Sequence, residues 1–139
     1  MPKARVFVDT AAWIALLNAD DALHEQARQI RGMLAQRKTR LMTTEFVLLE
    51  VADALSAPAL RSHTAAYVDS LRQLAILQIV SASQELLVEG WALYKRRPDK
   101  DRSLTDCISF VVMMLEHSRQ AFTSDHNFEQ AGFVKLMSA

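Results

Sequence analysis

Arg5-Val6-Phe7-Val8-Asp9-Thr10-Ala11-Ala12-Trp13-Ile14-Ala15-Leu16-Leu17 decides how the rest of the chain is read. Arg5 to Val8 is short, β-branched and aromatic, which suits a strand, and it stops at an aspartate. The residues that follow, Ala-Ala-Trp-Ile-Ala-Leu-Leu, have the composition of a helix. A strand running straight into a helix through Asp-Thr opens a βα unit and leaves a carboxylate at the strand's carboxyl end, where open parallel sheets collect their reactive groups.

Working outward, Asp21 to Arg37 spaces Leu23, Ala27, Ile30 and Leu34 three and four residues apart, as an amphipathic helix does, and Arg40 to Thr43 reads as a second strand. Thr44 to Ala57 reads as a helix that is apolar nearly all round, ended by Pro58 and so expected to lie buried between layers. Leu60 to Ala75 is a further amphipathic helix, Leu77 to Val80 a short apolar run, and Ser83 to about Arg96 another helix. Lys95 to Arg102, with Pro98, is read as a basic loop. Ser103 opens a helix to about His117. Gln120 to Ser124 and Phe133 to Met137 are the last two strands, separated by a short turn of helix. Short apolar strands alternating with longer helices predict the α/β class: a three-layer α/β/α sandwich with a parallel sheet of four to five strands covered on both faces.

The 139 residues are one domain's worth of chain, and with 3 glycines and 3 prolines there is no linker, low-complexity tract or fixed-period repeat to divide residues 1–139. An apolar fraction of 50% against 23% charged residues fits a globular core and excludes a disordered chain. The longest apolar run, Ala11 to Leu17, is far below the ~18 residues of a membrane span. The start of the chain shows no secretory h-region or cleavage site, so the expected compartment is the cytoplasm. Cys107 is the only cysteine, which excludes an internal disulfide and a thiolate zinc cage. Sixteen Lys plus Arg balance sixteen Asp plus Glu, so any affinity for nucleic acid must be local.

Phosphate-cradling loops need clustered glycines, and Gly32, Gly90 and Gly132 are isolated; the histidines show no i, i+4 zinc pair, and there is no Gly-x-Ser-x-Gly elbow. Carboxylates remain: Asp9 after the first strand, Glu50 inside an apolar helix, Asp106 in the first turn of a later helix, and Asp125 after a late strand. Asp9 and Asp125 also suit helix caps, and Asp106, three residues after Ser103, suits a capping box. Glu50 resists such an account. Its helical neighbours Phe46, Val47, Asp53 and Ala54 include no cation, and an ionised carboxylate on an apolar helix costs several kcal/mol without compensation. If the acids converge, a hard divalent cation such as Mg2+ or Mn2+ would relieve their repulsion and bring phosphoryl-transfer chemistry with it, through one ion or two.

Four segments then fall into one pattern: Val6-Phe7-Val8-Asp9-Thr10, Thr43-Thr44-Glu45-Phe46-Val47-Leu48-Leu49-Glu50, Ser103-Leu104-Thr105-Asp106-Cys107, and Thr123-Ser124-Asp125-His126-Asn127-Phe128-Glu129-Gln130-Ala131-Gly132-Phe133. In this order the chain resembles the PIN domain, and more narrowly the VapC-type toxin ribonucleases of toxin-antitoxin pairs. The resemblance implies a Mg2+- or Mn2+-dependent endoribonuclease with Asp9, Glu50, Asp106 and Asp125 gathered in one metal-binding, catalytic pocket and Thr10 supporting it. It also implies RNA as substrate, a cognate antitoxin, a homodimer, and cleavage that leaves a 5′-phosphate. A PIN scaffold that binds protein or RNA with little turnover, and a solitary nuclease without an antitoxin, are the alternatives. A haloacid-dehalogenase-like phosphatase would need a second acid two residues after Asp9, where Ala11 stands.

Lys95, Arg96, Arg97, Lys100 and Arg102 precede the Asp106 helix and suit RNA phosphates, although Asp99 and Asp101 dilute them; a solvated loop is the competing reading. Asp101 is read as a loop residue. Arg28, Arg31, Arg37, Lys38 and Arg40 read as the outer face of a surface helix. Trp13 and Phe128 are expected in the core rather than stacked on bases, and Cys107 as a small buried hydrophobe.

Overall fold

The computed structural model describes residues 4–138. Strands β1 (Val6–Val8), β2 (Leu41–Thr44), β3 (Leu77–Val80), β4 (Gln120–Phe122) and β5 (Val134–Lys135) form one sheet in the order β3-β2-β1-β4-β5, and every pairing is parallel. Between them run α1 (Thr10–Leu17), α2 (His24–Gln36), α3 (Glu45–Ala54), α4 (Pro58–Leu71), α5 (Gln84–Arg96), α6 (Leu104–Leu115) and the short α7 (His126–Gln130). The chain steps from β1 to β2 to β3 in one direction and then returns to the far side of β1 for β4. With right-handed crossovers, that reversal carries α5 and α6 to the face opposite α1 and α2. The expected α/β sandwich around a parallel sheet is what forms.

The reversal also fixes where chemistry can sit. Phe7 pairs with Ala121 and Val8 with Phe122, and the Asp9 amide donates to the Phe122 carbonyl at 3.1 Å. The carboxyl ends of β1 and β4 therefore open into one crevice at the topological switch point. Because β1 is central, Val6, Phe7 and Val8 are all buried. A continuous apolar strand is stable only in that position.

Several expectations about elements need correction. The helix read as Thr44 to Ala57 spans only Glu45–Ala54, and it is not buried all round: Leu49 is 61% exposed. An apolar composition matches full burial only when other elements cover every side, and α3 packs chiefly against α1, α4 and α6. Pro58 does not end that helix but opens α4 at its first turn, where its fixed φ and missing N–H cost nothing. Lys95 and Arg96 form the last turn of α5 rather than loop. Strand β4 is shorter than read because Thr123 onward turns to build the site, and β5 is confined to Val134–Lys135.

The aromatic core lies between α6, α7 and the sheet. Phe110 meets Phe128 edge-on at 4.9 Å, and Phe7 and Phe133 flank that pair. Trp13 is buried, packs against Tyr67 and donates its indole N–H to Thr43 at 3.2 Å. Both aromatics expected in the core are there, and Cys107 is buried as expected. Helix α5 approaches α6 closely through Gly90, the only buried residue of α5; a Cβ there would lie 2.3 Å from Cγ1 of Ile108 and 3.3 Å from its Cα. Among the described residues, no helix is long and apolar enough to cross a membrane.

Candidate metal centre

Three of the four singled-out acids meet at the crevice. Asp9, Asp106 and Asp125 each offer a carboxylate oxygen, and these oxygens all lie within 4.8 Å of one another. Each arrives on a different element: Asp9 from the end of β1, Asp106 from the first turn of α6, and Asp125 from the turn between β4 and α7. Glu50, on α3, is outside that tight cluster but lines the same cleft of about 780 Å³. Its carboxylate accepts a hydrogen bond from the Thr10 hydroxyl, which compensates the charge on α3 that no neighbouring cation compensates.

The capping explanations hold in part. Asp106 and Ser103 form a complete capping box: the Asp106 amide donates to Ser103 Oγ at 2.9 Å, and the Ser103 amide donates to Asp106 Oδ2 at 3.3 Å. Asp125 caps α7 by accepting from the Asn127 amide at 2.9 Å. Asp9 stands at the N-cap of α1 without a side-chain cap bond. Its Oδ2 accepts from the Thr123 hydroxyl at 2.8 Å, and its Oδ1 is buried with no hydrogen-bond partner. An orphaned oxygen on a carboxylate that is 3% exposed at residue level is costly, and the Asp9 carboxylate lies beside two further carboxylates.

The electrostatics follow from that crowding. Burial pushes the Asp9 carboxyl up to about 6 against the counter-effect of the Thr123 hydroxyl, with Glu50 and Asp125 adding to the rise. Burial likewise pushes Asp106 up to about 7, with Asp9, Asp125 and Glu50 contributing through their charges. Two raised carboxyls in one crevice, each surrounded by acids, mark a place that holds negative charge at a cost unless a cation shares it. All-oxygen donors of this kind fit a hard divalent ion. The buried Oδ1 of Asp9 is left without a hydrogen-bond partner in a carboxylate that belongs to this cluster.

Sequence reasoning missed the supporting residues. Thr123 donates to Asp9 and also accepts from the Asp125 amide at 3.1 Å, so one hydroxyl spans both aspartates. Its position two residues before Asp125 is the spacing of a side-chain turn and was the available signal. Asn127 lines the cleft and donates its amide to the Asp101 carbonyl at 2.7 Å, pinning the incoming loop. Asp101 also lines the cleft, but its side chain is exposed and its carbonyl is what it contributes to this contact. In the basic segment, Arg97 pairs with Asp99 at 2.9 Å, as the diluting acids suggested, whereas Arg102 lines the cleft with its guanidinium 5.4 Å from the Phe110 ring. Trp91 and Tyr94, which the sequence did not single out, line the cleft as well.

Comparison with known proteins bears on the family and the fold. The 23S rRNA-specific endonuclease VapC20 of Mycobacterium tuberculosis is 30% identical over 132 residues, covering 94% of this chain and 97% of that one. The crystal structure of M. tuberculosis VapC20, described as a sarcin-ricin loop cleaving toxin, superposes with a TM-score of 0.82 at 29% identity over 93% of this chain and 96% of that one. VapBC2 from Rickettsia felis, crystallised with a DNA fragment from its promoter, shares the fold with a TM-score of 0.68 at 14% identity, over 94% and 96% of the two chains. The PIN domain model matches residues 6–134, and the chain belongs to the PIN domain family.

Proposed function

We propose that this protein is a Mg2+- or Mn2+-dependent endoribonuclease acting as the toxin of a toxin-antitoxin pair. The observation that carries the reading is the convergence of Asp9, Asp106 and Asp125 at the switch point, with a buried Asp9 oxygen that lacks a hydrogen-bond partner. Asp9, Asp106 and Asp125 would hold the ion, and Glu50 completes the acid set. When bound, the ion supplies Lewis-acid polarisation of a phosphoryl oxygen and a nucleophile generated from water at neutral pH.

The chain's own groups do the positioning. Thr123 fixes the Asp9 carboxylate and the Asp125 backbone together, so that neither moves without the other. Thr10 holds Glu50. The capping box locks Asp106 to the start of α6. Acids fixed in this way would hold a cation with little reorganisation as charge develops on the scissile phosphate, which is where electrostatic catalysis gains most. In-line attack by water on phosphorus, with the 3′-oxygen leaving, gives a 5′-phosphate and a 3′-hydroxyl.

RNA is the substrate class that the VapC20 relationship supports, and 23S rRNA is the first substrate to test. A cognate antitoxin, a second copy of the chain in a homodimer, and the cytoplasm as compartment belong to the same reading. The experiment is cleavage of RNA by the purified chain with Mg2+, Mn2+ or excess EDTA, alongside Asp9→Asn. Cleavage should need the metal and collapse in Asp9→Asn. Equal rates for parent and variant under saturating Mn2+ would overturn the site assignment.

A further inference from the structure

Trp91 and Tyr94 are an exposed aromatic pair on the wall of the acidic cleft. Their rings stack at 5.3 Å between centroids and 10° between planes, and the residues are 49% and 44% exposed. The other tryptophan, Trp13, is buried, and four of the six phenylalanines are fully or nearly fully buried. Aromatic rings normally finish in the core because they carry large apolar area; Leu87 and Val88, also exposed, continue this apolar face one turn back along α5, and Trp91 and Tyr94 are the part of it that reaches the acidic cleft. Both line the same cleft as Asp9, Glu50, Asp106 and Asp125. Basic groups adjoin them: Lys95 follows Tyr94 on α5, and a second cavity of about 320 Å³ joins Tyr94 to Lys95, Lys100 and Arg102, with Asp101 and the Asp99-paired Arg97 on the same lining.

We infer that Trp91 and Tyr94 form a stacking platform for an unpaired base of the RNA, placing the backbone beside it between the acidic centre and the Arg102 side of the cleft. This rests on the ribonuclease reading and adds to it two side chains that position the substrate, Trp91 and Tyr94. Aromatic faces take any base, whereas the same rings cannot reach a base held inside a duplex. Alternating aromatic and cationic groups is how single strands are held, with stacking on the bases and charge on the phosphates. The pair therefore positions the strand through one of its bases and not through its phosphates alone.

The test uses the full chain with Ca2+ and an eight-nucleotide oligoadenylate, an abasic oligomer of the same length, and a blunt RNA duplex. Trp91 emission should be quenched by oligoadenylate, and Trp91→Ala should weaken oligoadenylate binding by roughly 5- to 100-fold. Trp91→Phe should recover most of the affinity. The abasic oligomer should bind parent and Trp91→Ala equally, because it offers phosphates without a ring. In cleavage with Mn2+, the loss in Trp91→Ala should fall mainly on KM, with Mn2+ affinity unchanged by calorimetry. If the parent cleaves RNA but Trp91→Ala binds oligoadenylate as the parent does, the platform is refuted and the ribonuclease reading stands. If the parent neither binds nor cleaves RNA, the ribonuclease reading itself fails. If Trp91→Ala converts a dimer to a monomer in light scattering and affinity for the abasic oligomer falls as much as for oligoadenylate, the pair is a contact between copies of this chain and the inference is overturned.

Discussion

Replacing Asp106 by Asn should make the metal-free protein more stable at pH 8, although the residue sits at the centre of the site. Burial and three neighbouring acids raise its carboxyl from 3.8 to about 7. In the unfolded chain the group ionises near 3.8, whereas in the fold it stays protonated to a higher pH. Stability is therefore lost as pH rises from about 4 to about 7 and is level beyond that. At about 1.36 kcal/mol per pH unit, ionising Asp106 in the native crevice costs about 4 kcal/mol. Water in the open cleft, and the coupling to Asp9, reduce this to about 2 kcal/mol recoverable by removing one charge. Asn keeps an acceptor for the Ser103 amide, so the capping box survives. Denaturant melts of parent and variant in EDTA should coincide near pH 4 and diverge to about 2 kcal/mol in favour of Asp106→Asn by pH 8. With saturating Mn2+ the order should reverse, since a ligand at 100 times its Kd adds about 2.7 kcal/mol to a native state that binds it. A variant less stable than the parent at pH 8 in EDTA, with its native fold intact by circular dichroism, would refute the crowding argument.

Thr123→Val keeps the shape but removes the hydroxyl that Asp9 accepts from and the Asp125 amide donates to; stability should fall by about 1–3 kcal/mol and Mn2+ affinity by roughly 10- to 100-fold, read by melting and calorimetry. Gly90→Ala puts a methyl 2.3 Å from Ile108 Cγ1, so α5 must lift from α6; a loss of about 1–3 kcal/mol in chemical denaturation is expected, with RNA cleavage reduced because Trp91 and Tyr94 ride on the same helix.

The fold was legible because β1 is central. Val6, Phe7 and Val8 have no polar face to hide, and the aspartate that ends the run marks the strand's carboxyl edge. Asp106 and Asp125 were legible as helix-start residues, and they are both caps and members of the cluster, so choosing between the two roles was unnecessary. Glu50 was legible through the absence of a cation on its own helix, but its partner, Thr10, lies 40 positions earlier and no spacing rule connects them. The exposure of Leu49 was illegible, because composition records how apolar α3 is and not how many neighbours surround it. Trp91 and Tyr94 escaped notice for a similar reason: an i, i+3 aromatic pair looks the same in sequence whether it faces the core or solvent.

The double employment of Asp106 and Asp125 has an evolutionary side. Asparagine keeps a side-chain oxygen that can accept the same backbone amide at either position, and one base substitution converts an aspartate codon into an asparagine codon. Silencing this protein therefore need not damage its architecture: a lineage under pressure to disarm it has a one-step route to an inert but intact copy. That copy would still present the surfaces its partners recognise. Natural populations should accumulate such disarmed alleles at these two positions.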